Sequence, residues 1–167
     1  MYLSAYQWEK IEKKPEKCPE EYVLTYYLGS YDDSYRNWVQ TFAKKQNLKI
    51  FELQSEEHFG IAPDEFLYLI HHATCVCTDS FHGTVFSLIF SYTVLLFLKE
   101  KMVFKTMKSR LVTLLSKMQC LQRRQKEIDD KKILNMSFKK TDEIIEKEKK
   151  KFGNFLMQIQ KETKENA

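Results

Sequence analysis

The sequence predicts an α/β fold of the Rossmann-like type, a three-layer sandwich with a mostly parallel sheet between two layers of helices. Segments with strand character alternate along the chain with segments of helical periodicity. Two strand-like segments, 75–78 and 93–98, are largely apolar runs, which is typical of parallel strands that helices cover on both faces. With 167 residues and 43% hydrophobic content, the chain is long enough for one domain core.

The first 20 residues differ from the rest of the chain. They are aromatic and polar, and Pro15 and Pro19 interrupt any helix there. Residues 1–20 are therefore predicted to be an N-terminal extension or linker. Residues 21–167 are predicted to form a single α/β domain that includes a long C-terminal helix.

Four strands are predicted where apolar, β-branched and aromatic residues cluster between turn signals. Gly29 closes the first of them. The predicted strands are 22–28, 48–53, 75–78 and 93–98.

Helices are predicted between and after these strands. Asp32 or Asp33 can cap the first helix. Pro63 opens the second at its first turn, where Asp64 and Glu65 interact favourably with the helix dipole. The helices are predicted to end near residues 46, 73, 90, 118 and 161, which gives the order β-α-β-α-β-α-β-α-α.

Composition argues against several classes of protein. The net charge of +4 is mild, and lysines alternate with glutamates in the C-terminal segment, as on a solvated helix face rather than in a nucleic-acid groove. No run of about 18 apolar residues and no secretory leader is present, so no membrane span is expected and the cytoplasm is the expected location. Four cysteines do not make a disulfide framework, and we expect them to be reduced and mostly buried.

The most informative segment is the one in which a short strand runs into a helix that carries His82. A helix N-terminus that follows a strand presents unpaired backbone N–H groups to an anion. Gly83 lets a ligand approach the backbone closely, and an imidazole can transfer a proton near neutral pH. The residues that offer hydroxyls beside them are Thr78, Ser80 and Thr84.

In a doubly wound sheet, ligands bind outside the carboxyl ends of the strands. That rule places segments 27–31, 78–83 and 99–105 at one rim of the predicted sheet. The segment around His82 therefore lies on the edge where such folds hold ligands.

The run Thr78-Asp-Ser-Phe-His-Gly-Thr-Val-Phe-Ser-Leu-Ile-Phe90 resembles the signature of the polysaccharide pyruvyl transferase family. A strand-turn-helix Ser-Phe-His-Gly segment is more specific than a lone glycine motif. The resemblance extends over roughly 21–161. Further segments similar to the family are 22–29, 62–67, 109–111 and the Lys/Glu-rich terminal helix.

The resemblance implies a two-domain fold of the GT-B type, of which this chain would be the C-terminal, donor-binding half. It implies transfer of the enolpyruvyl group of phosphoenolpyruvate to a sugar of a cell-surface polysaccharide, which gives a pyruvate ketal and phosphate. The active site of such proteins lies between two α/β domains, so the chain alone is expected to be inactive. The implied partners are phosphoenolpyruvate, a saccharide acceptor, and either a separate N-terminal domain chain or a second copy.

Given this resemblance, two residues are candidates for catalysis. His82 can act as the general acid or hold the departing phosphate. Asp79 can orient the imidazole if both residues lie in the first helical turn, or it can simply cap the helix. The candidates for binding the substrate are Thr78, Ser80, Gly83, Thr84, Lys101 and Arg110.

Arg110 resembles a later arginine of the family and can fork onto a carboxylate or phosphate, although a surface arginine is the plainer interpretation. Lys101 follows the fourth strand at the same rim. There a lysine can supply a point charge to phosphate or simply be solvated.

A metal site has to be considered because five potential ligands are close in sequence. They are His71, His72, Cys75, Cys77 and His82. Their spacing matches none of the usual zinc patterns, and the two cysteines point to the same face of a strand that should be buried. We therefore predict no metal and no cofactor, with phosphoenolpyruvate as the donor substrate.

A second class of function is compatible with the same residues. The chain can be a non-catalytic, truncated GT-B-like domain that acts as a protein-binding or scaffold module. An exposed apolar patch or self-association would favour that alternative.

Overall fold

The computed structural model describes residues 4–28, 33–58, 60–91, 93–96, 105–121, 133–134 and 137–165. The strands in these ranges are β1 (Tyr22–Tyr26), β2 (Lys49–Glu52), β3 (Cys75–Thr78) and β4 (Val94–Leu96). The helices are α1 (Ala5–Glu9), α2 (Asp33–Gln46), α3 (Pro63–His71), α4 (Phe81–Ile89), α5 (Lys105–Lys117) and α6 (Lys139–Glu165), with a short 3-10 helix at Glu56–His58.

The four strands form one sheet in the order β2-β1-β3-β4, and every neighbouring pair is parallel. The chain moves from β1 outward to β2, crosses back to β3 and continues to β4. The direction of winding therefore reverses between β1 and β3, which is the position where doubly wound sheets bind ligands. The predicted α/β class and parallel sheet are confirmed.

Side chains of β1 alternate between two separate cores. Tyr22 and Leu24 belong to the core covered by α3, α4, α5 and α6. Val23 belongs to the core on the opposite face, where it packs with Val39 and Phe42 of α2. This alternation is the period-two geometry of a strand buried on both faces, and it produces the three-layer arrangement.

The N-terminal segment contains a helix that the sequence reasoning did not predict. Ser4 caps α1 by accepting from the backbone N–H of Gln7, whose side chain accepts from the Ser4 N–H in return. Trp8 packs edge-on against Phe86 of α4, with ring centroids 5.1 Å apart. The expectation that prolines exclude any helix in residues 1–20 was wrong, because both prolines lie beyond α1. The proposed domain boundary at residue 20 stays a prediction.

Most predicted element ends lie within a few residues of the observed ones. Strand 75–78 agrees at both ends, whereas α6 ends four residues later than predicted. Asp32 and residues 97–98 lie outside the described residues, so the choice of cap for α2 and the end of the fourth strand are not compared. All four cysteines are free thiols, and three of them are buried, as expected. Within the described ranges, no helix combines the length and apolar character that a membrane span requires.

Candidate active site

The beginning of α4 presents unpaired donors. Ser80 is the N-cap residue, and its Oγ accepts from the Gly83 N–H at 3.3 Å. The backbone N–H groups of Phe81 and His82 have no hydrogen-bond partner among the described residues. These two donors, at the positive end of the helix dipole, are suited to hold an anionic oxygen.

The hydroxyls around this helix start bond to the backbone of the turn. Thr78 Oγ1 donates to the Tyr26 carbonyl oxygen at 2.5 Å and accepts from the Ser80 N–H at 2.9 Å. Thr84 Oγ1 donates to the Ser80 carbonyl oxygen at 2.8 Å. Thr78, Ser80 and Thr84 are fully buried. They position the turn here, and their contact with substrate stays a prediction.

Asp79 connects the ends of two strands. It is buried and lies before the N-cap residue of α4, outside the first helical turn. Its Oδ1 accepts from the Leu28 N–H at 2.7 Å, which joins the segment after β1 to the segment after β3. Neither expected arrangement is found, because Ser80 caps the helix and the His82 ring makes no hydrogen bond within the described residues.

Gly83 is a point of close packing between α4 and the strand ends. A Cβ at this position would lie 3.0 Å from Thr78 Oγ1 and 3.3 Å from Tyr26 Cδ1. Protein atoms therefore lie close to the Gly83 backbone, where the sequence predicted the close approach of a ligand.

A cavity of about 430 Å³ opens at the carboxyl ends of β1 and β2, and we call it the edge cavity. This volume is in the range of small-molecule sites. His82, which is exposed, contributes to its wall. The other lining residues are Tyr26, Leu53, Gln54, Ser55, His58, Gly60, Ile61, Pro63, Phe66 and Phe86.

His58 gives the edge cavity a second imidazole. Its Nδ1 lies 2.8 Å from the Glu52 carbonyl oxygen and 2.8 Å from Ser55 Oγ. Since a carbonyl oxygen only accepts, Nδ1 carries a proton, and in the neutral ring Nε2 is an acceptor. Nε2 has no partner among the described residues, and the ring stacks on Phe51 with centroids 3.8 Å apart. The ring is thus held in one orientation with one nitrogen free.

Sequence reasoning missed His58. The rule that placed segments 27–31 and 78–83 at the rim applies equally to the residues that follow β2. Applied there, it would have drawn attention to Gln54, Ser55 and His58. Gln54 Nε2 donates to the Tyr27 carbonyl oxygen, so this side of the cavity is attached to the end of β1.

Arg110 lies close to the start of α4, and its role as a substrate ligand stays a prediction. Its Cζ is 4.5 Å from the centre of the Phe81 ring. The Arg110 guanidinium therefore lies beside Phe81, whose backbone N–H is the first of the two unpaired donors. Lys101, the other predicted cation, lies outside the described residues.

The five potential metal ligands that are close in sequence separate in space. Cys75 and Cys77 are buried and belong to the core on the α2 side of the sheet. Burial is the main cause that raises the pKa of the Cys77 thiol well above its ordinary value of 9.0, and the neighbouring Cys75 raises it further. A thiol kept protonated in this way is a poor metal ligand. His71 and His72 instead contact Glu12 of the N-terminal segment.

Comparison with known proteins agrees with the motif at the beginning of α4. A model of one family, described as polysaccharide pyruvyl transferase, matches residues 2–92. The match starts before residue 21, where the resemblance was expected to begin, and it ends before Arg110 and the terminal helix. Comparison with curated proteins and with solved structures gave no match. Because the match covers more than half of the 167 residues and includes the strand, the turn and His82, the chain belongs to the polysaccharide pyruvyl transferase family.

Proposed function

We propose that this chain binds phosphoenolpyruvate at the beginning of α4 and takes part in transfer of the enolpyruvyl group to a saccharide hydroxyl of a cell-surface polysaccharide. The observation that carries the proposal is the pair of unpaired N–H groups at Phe81 and His82, next to a cavity that has two imidazoles. Membership of the family supplies the reaction class.

Anion binding is assigned to the helix end and Arg110. Phosphoenolpyruvate has a phosphate and a carboxylate, and both are ligands for backbone N–H groups and for guanidinium. The two N–H groups would hold one anionic group, and Arg110 the other. The buried hydroxyls keep the turn in the shape that exposes these donors.

Proton transfer is assigned to the two histidines of the edge cavity. Ketal formation adds a proton to the methylene carbon of the enol phosphate and forms two carbon–oxygen bonds from the acceptor hydroxyls. Both bonds form at the carbon that carries the phosphate, whose bond to the phosphate oxygen breaks, and phosphate leaves with the proton of the second hydroxyl. His82 would deliver the proton, while His58 Nε2 would accept the proton of an attacking hydroxyl.

Donor binding can be tested by calorimetric titration of the chain with phosphoenolpyruvate. We expect saturable binding that inorganic phosphate displaces and that Arg110→Ala weakens about tenfold or more, since hydrogen bonds to charged groups contribute about 1.5–3 kcal/mol. Lys147→Ala, which removes an exposed cation of α6, is the matched control and should bind normally. A folded chain that shows no saturable binding would contradict the proposed donor site.

The proposal assigns donor binding, and no complete reaction, to this chain. We expect no ketal formation from phosphoenolpyruvate and saccharide acceptors when the chain is assayed alone. Detection of pyruvylated product by mass spectrometry in that assay would contradict this part of the proposal.

A binding role is favoured by one specific observation, an exposed apolar face on the C-terminal half of α6. Phe152, Phe155, Leu156 and Ile159 are 38–56% exposed, and their spacing places them on one side of the helix. Such a face is typical of a surface that meets another chain or domain. The scaffold alternative is therefore retained, and it is compatible with donor binding.

A further inference from the structure

A second group of chemically versatile side chains lies away from the edge cavity. Glu12 Oε2 is 2.8 Å from His71 Nδ1, and Glu12 Oε1 is 2.9 Å from His72 Nε2. One ligand atom from each residue can be chosen so that all three lie within 4.8 Å of one another. The group joins the N-terminal segment to the C-terminal end of α3, and we call it the Glu12 cluster.

Packing fixes both imidazoles of the Glu12 cluster. The His71 ring stacks on Phe90 with centroids 4.4 Å apart, and the His72 ring stacks on Tyr68 at 4.0 Å. Ligand rings that are already oriented lose little conformational entropy when they bind an ion. The two imidazoles are therefore preorganised.

A second carboxylate lies behind the first ring. Glu9 Oε1 is 3.8 Å from His71 Nε2, on the opposite side of the ring from the nitrogen that faces Glu12. Metal-binding histidines commonly direct their other nitrogen toward a carboxylate, which fixes the tautomer and makes the ligand more basic. Glu9 is placed to act in this way, and it is a second observation that points to a cation at this position.

The negative charge of the Glu12 carboxylate also favours a cation at this position. The Glu12 side chain is only 12% exposed, and within the described residues it has no lysine or arginine partner. A carboxylate removed from water needs a compensating charge. Two imidazoles and one carboxylate are ligands that Zn²⁺ accepts, whereas Ca²⁺ and Mg²⁺ prefer oxygen.

We propose that the Glu12 cluster binds one divalent transition-metal ion of the zinc class. His71 Nδ1, His72 Nε2 and one Glu12 oxygen are its ligands, and the fourth position opens to solvent beside His72, which is 40% exposed. The ion replaces the protons that now lie between the carboxylate and the rings. Its role is structural, because it ties the segment after α1 to the end of α3. The sequence reasoning predicted no metal and did not consider Glu12.

Titration of the metal-free chain with Zn²⁺ alone, followed by calorimetry, tests the site. We expect one saturable equivalent, with affinity at least about tenfold weaker in Glu12→Gln and in His72→Asn. Glu16→Gln is the matched control, because Glu16 is an exposed glutamate of the same segment and should leave binding unchanged. His72 is exposed, so its variant should fold, and circular dichroism checks this.

Replacing Zn²⁺ by Co²⁺ gives a second readout. A site with nitrogen and oxygen ligands should give a visible absorption band that saturates at one equivalent and disappears in His72→Asn. Absence of saturable Zn²⁺ binding, or binding that both variants retain, would overturn the proposal. The Glu12 cluster would then be a set of hydrogen bonds between Glu12 and the two histidines. Neither readout uses phosphoenolpyruvate, so the result is independent of the proposed function.

Discussion

Gly83 is the residue where α4 comes closest to the ends of β1 and β3. The atom that a Cβ would meet first is Thr78 Oγ1, at 3.0 Å. That oxygen is held by two hydrogen bonds, one to the Tyr26 carbonyl oxygen and one from the Ser80 N–H. It cannot move aside without breaking them, so the absence of a side chain at residue 83 is a packing requirement.

Gly83→Ala is therefore expected to destabilise the fold. Crowding in a packed site costs about 1–3 kcal/mol, which exceeds the gain of up to about 1 kcal/mol from replacing glycine in a helix. Urea unfolding should show the loss. In a Thr78→Ala background, which removes Oγ1, the cost of the same change should fall. Equal or greater stability of Gly83→Ala in the otherwise unchanged chain would show that Thr78 moves freely.

The position of His58 in the edge cavity could not be predicted from the residues around it in sequence. A histidine directly after a pair of glutamates in a polar segment has no motif around it, and nothing local distinguishes it from a solvated side chain. Its position depends on the Glu52 carbonyl oxygen and on the Phe51 ring beneath it. His82 could be predicted because a strand, a cap and a helix surround it in sequence. Its cavity partner could not, because that contact is tertiary.

At the scale of elements, α5 and α6 are joined by an ion pair between Lys117 Nζ and Glu148 Oε2, 2.8 Å apart. Hydrogen bonds from Lys117 and then Lys151 lower the pKa of the Glu148 carboxyl from its ordinary value of 4.5 to about 2. The unfolded chain thus binds this proton more tightly than the folded chain. The pairing stabilises the fold above about pH 4.5, and this stabilisation is lost as the pH falls toward 2.

Glu148→Gln should consequently lower the melting temperature at pH 6. The difference from the unmodified chain should narrow as the pH is reduced from 4.5 toward 2. The effect should be small, because the pair is partly exposed and solvent screens it. Glu143→Gln is the control, since Glu143 is exposed on the same helix and has no ion pair among the described residues. A pH-independent difference would argue against an ionic contribution.

The elements also differ in how far the sequence predicts them. Strand 75–78 was predicted at both ends, because a strand buried on both faces has a distinct apolar pattern bounded by turn residues. The five residues of α1 are too few to show helical periodicity. That helix depends on the capping pair Ser4 and Gln7. It also depends on the packing of Trp8 against Phe86, a contact between residues that are 78 positions apart in sequence.

At the scale of the whole molecule, α6 continues beyond the residues that pack on the core. Ile145 near its beginning is buried, whereas the apolar face from Phe152 to Ile159 is exposed. Burial of apolar surface is the main favourable term in association, so this exposed apolar face favours contact with another surface.

The chain should accordingly associate with itself in solution. Sedimentation velocity should give a mass above the 20.0 kDa of a single chain, and the double substitution Phe155→Ser and Ile159→Ser should restore the monomer. Lys147→Ser and Lys150→Ser change exposed polar positions of the same helix and should leave association unchanged. A monomer at every concentration would remove self-association as the role of this face.

We infer that the beginning of α4 and the edge cavity together form the donor site. Titration of the ¹⁵N-labelled chain with phosphoenolpyruvate, followed by two-dimensional NMR, tests it most directly because it reports position as well as affinity. We expect saturable shifts of the Phe81 and His82 backbone amides and of the His58 ring, with little change at His71 or His72. Saturable shifts confined to other parts of the chain, or no shifts from a folded chain, would contradict it.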